Sequence, residues 1–329
     1  MRGSYHVVVQ NRRVKFEFDV RRSITIVRGD SATGKTTLMS LVEAHERLGD
    51  DSGVTVSCER RCITANNANW QAVLDGVSSS IVFVDEDTKA IKTPEFARKV
   101  QRTDNYYVII TRENLPNLPY SVEEVYGIHT SGRYADLRKT YNSFYRLYEP
   151  SEPQTDVVVG KVIVEDSNSG YDFFRAIADE DTLVVSAGGK SNVRRLLSEV
   201  GSQKTLVIAD GAAFGPEMSD VHLFATSHPN VYVYLPESFE WIVLSSGLID
   251  GNRIRDVLQR TEDYVESSEF FSWEQFFTKL LVSETKGTYL RYSKSKLNEA
   301  YLGRREAGAL LDAMGNVTSL FATSDKDDA

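Results

Sequence analysis

Gly29-Asp30-Ser31-Ala32-Thr33-Gly34-Lys35-Thr36 sets two glycines and a Lys-Thr pair at the spacing Gly-x-x-x-x-Gly-Lys-Thr. The chemistry this spacing suits is capture of a phosphate. The glycines let the backbone turn tightly, so that its N–H groups converge on an anion. A helix starting near Lys35 adds its positive N-terminal end. Lys35 is spaced to reach β and γ phosphates and Thr36 to offer a hydroxyl to Mg²⁺, with Thr37 among the nucleotide-binding residues. Two further strand ends carry matching groups. Residues 80–84 are an apolar run that ends in Asp85-Glu86, where Asp85 would hold Mg²⁺ and Glu86 would orient and deprotonate an attacking water. Residues 106–110 form another apolar run, and Thr111 and Arg112 after it are candidates for sensing a γ-phosphate.

These groups need elements to hold them. Tyr5, Val7 and Val9 alternate with more polar neighbours, as do Val14, Phe16, Phe18 and Val20, which predicts a hairpin turning at Asn11-Arg12-Arg13. Residues 24–27 read as a buried strand. Residues 36–47 read as a helix with Leu38, Leu41, Val42 and His45 along one face, stopped at Gly49. A helix is expected over 94–101 behind Thr93-Pro94. The order hairpin, phosphate loop, helix, acidic strand and second polar-ended strand resembles compact ATPases of the ATP-binding-cassette or AAA type over about residues 5–148. No Leu-Ser-Gly-Gly-Gln signature lies between the loop and Asp85. Thr130-Ser131-Gly132-Arg133 comes after it, so the sandwich dimer of the transporters is not implied. No Asn-Lys-x-Asp guanine sequence is present, which favours ATP over GTP.

Tyr148-Glu149-Pro150-Ser151-Glu152-Pro153-Gln154 reads as a boundary, after which strands and helices alternate again. Strands are expected over 157–164, 182–186, 204–209 and 231–235, with helices over 171–177 and 193–200, and this alternation implies a parallel sheet. Glu165 and Asp210 each follow an apolar strand. Their carboxylates should meet at one rim, where a hard cation such as Mg²⁺ would find oxygen ligands. Gly188-Gly189-Lys190-Ser191 is not a second phosphate loop, because the first glycine it would need falls at Val184. This half resembles the Toprim domain of topoisomerases, primases and the overcoming-lysogenization-defect (OLD) nucleases. That resemblance implies Glu165 as acid/base and Asp210 as metal ligand, with Glu237 or Glu240 as a later acid. Ala212 stands where the family carries a second Asp, and Asp166 or Glu240 would have to compensate.

The whole is expected to be α/β: a P-loop NTPase domain over 1–150, a Toprim-like domain over 155–245 and a helical C-terminal extension over 246–329. In the last, Ser272-Trp273-Glu274-Gln275 has capping-box spacing. Arg291, Lys294, Lys296, Arg304 and Arg305 are a basic set expected on a solvated helix face, with phosphate contact as the alternative. Asp325-Lys326-Asp327-Asp328 reads as a frayed tail. The chain has 329 residues, 41% hydrophobic and 26% charged, with net charge −9 and pI near 5.2. These values exclude a surface that is basic throughout, and no apolar run approaches a membrane span, so a cytoplasmic protein is expected. Cys58 and Cys62 form a CxxxC pair without further Cys or a nearby His, which is a poor zinc site and reads as two reduced thiols on or near a strand. Taken together, the two resemblances imply an OLD-like anti-phage or mobile-element protein. ATP and Mg²⁺ would be its cofactors, nucleotide state would control action on DNA or RNA, and a partner protein or a second copy remains open. The alternative is a nucleotide-switched binding protein whose second domain is inactive.

Overall fold

Residues 24–27 (β3) are buried on both faces, as the unbroken Ile-Thr-Ile-Val run requires of a strand inside a parallel sheet. The computed structural model describes residues 1–29, 34–131, 139–148 and 158–320. Asp30 to Thr33 of the glycine loop, Gly132-Arg133, the Pro150/Pro153 boundary and the acidic tail lie outside these residues. The chain is mixed α/β and forms two compact units, Met1–Tyr148 with Arg260–Ser272, and Glu149–Gln259 with Trp273–Ala329.

In the first unit, Tyr5–Gln10 (β1) and Val14–Val20 (β2) pair antiparallel from Tyr5 against Val20 to Gln10 against Lys15. Asn11 holds the turn by accepting the N–H groups of Arg13 and Val14 at 2.8 and 2.9 Å. After β3, helix α1 runs Lys35–Leu48, burying Leu38, Met39, Leu41 and Val42, and ends at Gly49 in positive φ. Then come β4 (Thr55–Ser57), β5 (Cys62–Ala65), α2 (Trp70–Gly76), β6 (Ile81–Val84), α3 (Pro94–Gln101), β7 (Tyr106–Ile110), β8 (Val125–Thr130) and β9 (Thr140–Arg146). The nine strands stand in the order β4-β1-β2-β9-β8-β3-β7-β6-β5, and the last five are mutually parallel. Phe18 stacks on Phe144 with centroids 4.1 Å apart, joining the hairpin to β9 beneath α1. Glu124, wholly buried, accepts from Arg21 at 2.8 Å and Thr25 at 3.4 Å, tying the β2–β3 turn to the start of β8.

The expected three-part division differs from this twice. Residues 246–259 and 273–329 group with the second unit rather than forming a third. Residues 260–272 join the first unit, where Gly3 N–H donates to Glu262 O and Ser267 N–H to Met1 O. In the second unit, Lys161–Val164 (β10), Leu183–Ser186 (β11), Thr205–Ile208 (β12) and Val231–Tyr234 (β13) form an all-parallel sheet ordered β11-β10-β12-β13. Helices α4 (Ser169–Ile177), α5 (Lys190–Leu197) and α6 (Gly215–Ser227) connect them. Beyond lie α7 (Phe239–Ser245), α8 (Asn252–Gln259), α9 (Trp273–Glu284) and α10 (Arg304–Ala313). Residues 289–303 are not α-helical apart from a 3-10 turn at Glu299–Leu302. Asn298 donates there to Tyr289 O and Arg291 O, so side-chain bonds replace the helical ladder. The basic set therefore shares no single helix face.

Helix α3 starts where Thr93-Pro94 predicts, with Thr93 Oγ1 accepting the Phe96 N–H at 3.2 Å. Thr93→Ala should cost about 1 kcal/mol. Urea unfolding would register this as a lower midpoint with an unchanged slope, and an unshifted midpoint would refute the cap's role.

Candidate functional site

The first rim is built by register. Val27 on β3 is level with Ile110 on β7, and Ile109 is level with Val84 on β6. Gly29, Thr111 and Asp85 therefore leave neighbouring strands at one edge of the sheet, the edge a parallel α/β sheet presents to ligands. Gly34 has φ +91°, and a Cβ there would meet Phe16 Cζ at 3.3 Å. Both facts exclude a larger residue at the start of α1. Lys35 is buried, and its ammonium donates to the carbonyl of Gly29, so it folds back over the ends of the glycine loop. Thr36 and Thr37 are exposed on the first turn.

Asp85 is half-buried and accepts the N–H of Glu86 at 2.7 Å. Burial raises its pKa, the Glu86 N–H opposes this, and the charges of Asp87, Glu86 and Glu43 add to the rise. Glu43 belongs to α1, so helix and acidic strand bring negative charge to one place. Glu86 pairs with Arg112, Oε2 to Nε 3.3 Å. The two candidate strand ends are thus joined. Thr111 is buried and engaged locally, its hydroxyl accepting the Glu113 N–H at 3.1 Å. Arg112 is the more exposed of the pair, with about half its side chain open to solvent.

The second rim brings Glu165 and Asp210 together as expected. Val164 is level with Ile208, and Glu165 Oε2 accepts the Asp210 N–H at 3.0 Å. A small cleft above them is lined by Val164, Asp166, Phe174, Ile208 and Phe239. Burial pushes the Glu165 carboxyl up to about 7, against the Asp210 N–H and Lys190 and with Glu274 and Asp166. Burial also pushes the Asp210 carboxyl well above the usual carboxylate range, with Glu274, Glu165 and Glu240 adding to it.

Three participants in this rim carry no strand-end signal in the sequence. Glu274 comes from the first turn of α9, Lys294 from the irregular segment after it, and Lys190 from the start of α5. Lys294 forms an ion pair with Glu274. Burial works against the Lys294 ammonium, but Glu274, Glu240 and Asp210 outweigh it and hold its pKa up. Lys190 donates to Ala213 O at 3.1 Å, and burial lowers its pKa although Glu165, Glu217 and Glu274 favour the charge. Glu240 is buried and accepts from Thr278 and Tyr292, both at 2.9 Å, so it is bonded away as a structural acceptor. Ala212, in the place of a second Asp, is 2% exposed. Among the described residues no three His, Cys, Asp or Glu side chains come together to hold a metal ion. The expected Glu165–Asp210 metal site thus lacks a third ligand.

No family model, curated protein or solved structure matches the chain. Among the described residues no helix is long and apolar enough to cross a membrane.

The Glu165 shift carries a pH consequence. The folded pKa of about 7 lies above the roughly 4.3 of an unfolded Glu. Between these values the folded chain binds the extra proton, so this contribution is full below the unfolded pKa and is lost as pH rises through about 7. In buffer containing EDTA, Glu165→Gln should flatten the decline of unfolding free energy across this window. An equal decline in variant and parent would refute it.

Proposed function

We propose that the chain binds ATP with Mg²⁺ and hydrolyses it. The observation that carries this reading is the adjacency of three strand ends: the Gly29–Thr37 loop after β3, Thr111-Arg112 after β7 and Asp85-Glu86 after β6. The residues suit the cofactor. The Thr36 hydroxyl and the Asp85 carboxylate are hard oxygen donors, and Asp85 shares its surroundings with Glu86, Asp87 and Glu43. Mg²⁺ bound there would withdraw charge from the β and γ phosphates. Loop N–H groups and Lys35 stabilise the oxygens that gain charge in the transition state. Glu86 is the base that orients the attacking water. Its pair with Arg112 holds it before nucleotide arrives, and a γ-phosphate competes with Glu86 for that guanidinium.

Nucleotide state would then control a second unit that resembles the Toprim domain of OLD nucleases and acts on DNA or RNA. A specific observation favours the non-cutting form of this reading. Lys294 and Lys190 supply positive charge among Glu165, Asp210 and Glu274, where a nuclease would use divalent ions, and Ala212 removes one ligand. The second unit then serves as a nucleotide-switched binding module for nucleic acid, a partner protein or a second copy of the chain.

Three measurements test these readings. Lys35→Ala should weaken MgATP binding by at least about tenfold while circular dichroism stays that of the parent. Glu86→Gln should bind MgATP as the parent does and lose about 10²–10⁴-fold in turnover. Undiminished turnover in either variant would defeat the ATPase assignment. Mg²⁺- or Mn²⁺-dependent cutting of DNA or RNA by the parent, abolished by Asp210→Asn, would overturn the non-cutting form and restore the nuclease.

A further inference from the structure

Cys58 closes the segment after β4 and Cys62 opens β5, with Glu59-Arg60-Arg61 between them. Both thiols turn to the backbone of one residue. The Arg60 N–H donates to Cys58 Sγ at 3.4 Å, and the Cys62 S–H donates toward Arg60 O at 3.7 Å. Both side chains are partly open to solvent. We propose that Cys58 and Cys62 form a peroxide-reactive dithiol site, with Cys58 as the nucleophile and Cys62 as the thiol that resolves it to an intrachain disulfide.

The geometry makes the two sulfurs unequal. Cys58 receives a hydrogen bond, while Cys62 keeps its proton and donates it. The neighbouring Cys62 thiol is the main cause that draws the Cys58 pKa down to about 6, against burial and with the Arg60 N–H helping. Cys58 beside it, and then burial, hold the Cys62 thiol protonated. The Arg60 guanidinium lies over the Tyr5 ring, 5.1 Å from its centroid, so it is the main-chain N–H of Arg60 that supports the thiolate. The thiolate is the nucleophilic form of cysteine. A zinc site would need ligands beyond these two, and among the described residues no group of three is present.

The chemistry balances with a hydroperoxide as oxidant. The Cys58 thiolate attacks the terminal peroxide oxygen and the O–O bond breaks. Sulfur loses two electrons to become a sulfenic acid, and the leaving alkoxide or hydroxide takes a proton from water. The Cys62 sulfur then attacks Cys58 Sγ. The S–S bond forms, the S–O bond breaks, and the Cys62 proton leaves with the hydroxide as water. A small-molecule thiol reverses the step by exchange.

The test uses the reduced, full-length protein. At neutral pH, iodoacetamide should label Cys58 about tenfold faster than Cys62. One equivalent of hydrogen peroxide should yield a non-reduced peptide joining Cys58 to Cys62 within one chain, lost on adding dithiothreitol. In Cys62→Ser, dimedone should trap a sulfenic acid at Cys58, whereas Cys58→Ser should leave Cys62 unlabelled under the same treatment. Equal labelling of the two thiols, or disulfides that form only between chains, would overturn the proposal.

Discussion

A parallel strand hands the residue that follows it to one edge of its sheet, and each unit of this chain depends on that constraint. In the first, β3, β7 and β6 run level, so a loop rich in main-chain N–H groups, a Thr-Arg pair and an Asp-Glu pair leave the sheet side by side. In the second, β10 and β12 run level, and Glu165 accepts the main-chain N–H of Asp210 directly. A shift of one residue in either register would turn every side chain of the slipped strand to the opposite face. Burial prevents the shift. β3, β6, β10 and β12 expose neither face, and a slip would draw charged neighbours such as Asp85 or Glu165 into the buried runs.

The elements that could be read from sequence are those whose burial is simple. β1 and β2 are covered on one face and alternate, β6 and β7 are covered on both and are continuous, and α3 announces itself by Thr93-Pro94. The elements that escaped have a mixed environment. β8 and β9 carry Gly127, His129, Thr140 and Asn142, and β9 is held by β2, far away in the chain. Helix α6 begins Gly-Pro and exposes Leu223 to 72%, so it lacks the single apolar stripe that marks a helix by period. Residues 260–272 pair with the chain's first residues, a long-range docking that no local pattern encodes.

The candidate sites divide along the same line. Lys35, Asp85, Glu86, Glu165 and Asp210 could be named because each stands next to a strand or loop that has its own signature. Glu274 could not, since its position reads as a helix's first turn, where an acid is favoured on local grounds alone. Lys294 looked like one member of a solvated basic face. In the fold it turns inward because Glu274, Glu240 and Asp210 together offer more than water does to a partly buried ammonium.

Charge balance separates the two rims physically. At the first, Arg112 answers Glu86, while Asp85 sits among Glu86, Asp87 and Glu43 with burial already working against its ionised form. In the proposed ATP-binding reading, a hard divalent ion carried by the triphosphate would lower the free energy of that arrangement. At the second, the acids are met from within the fold by Lys294 and Lys190. An ion entering there would have to compete with a lysine and leave an ammonium in a partly buried place, which is costly. Two strand rims of the same design therefore differ in charge balance, because the second carries more of its counter-charge on its own side chains.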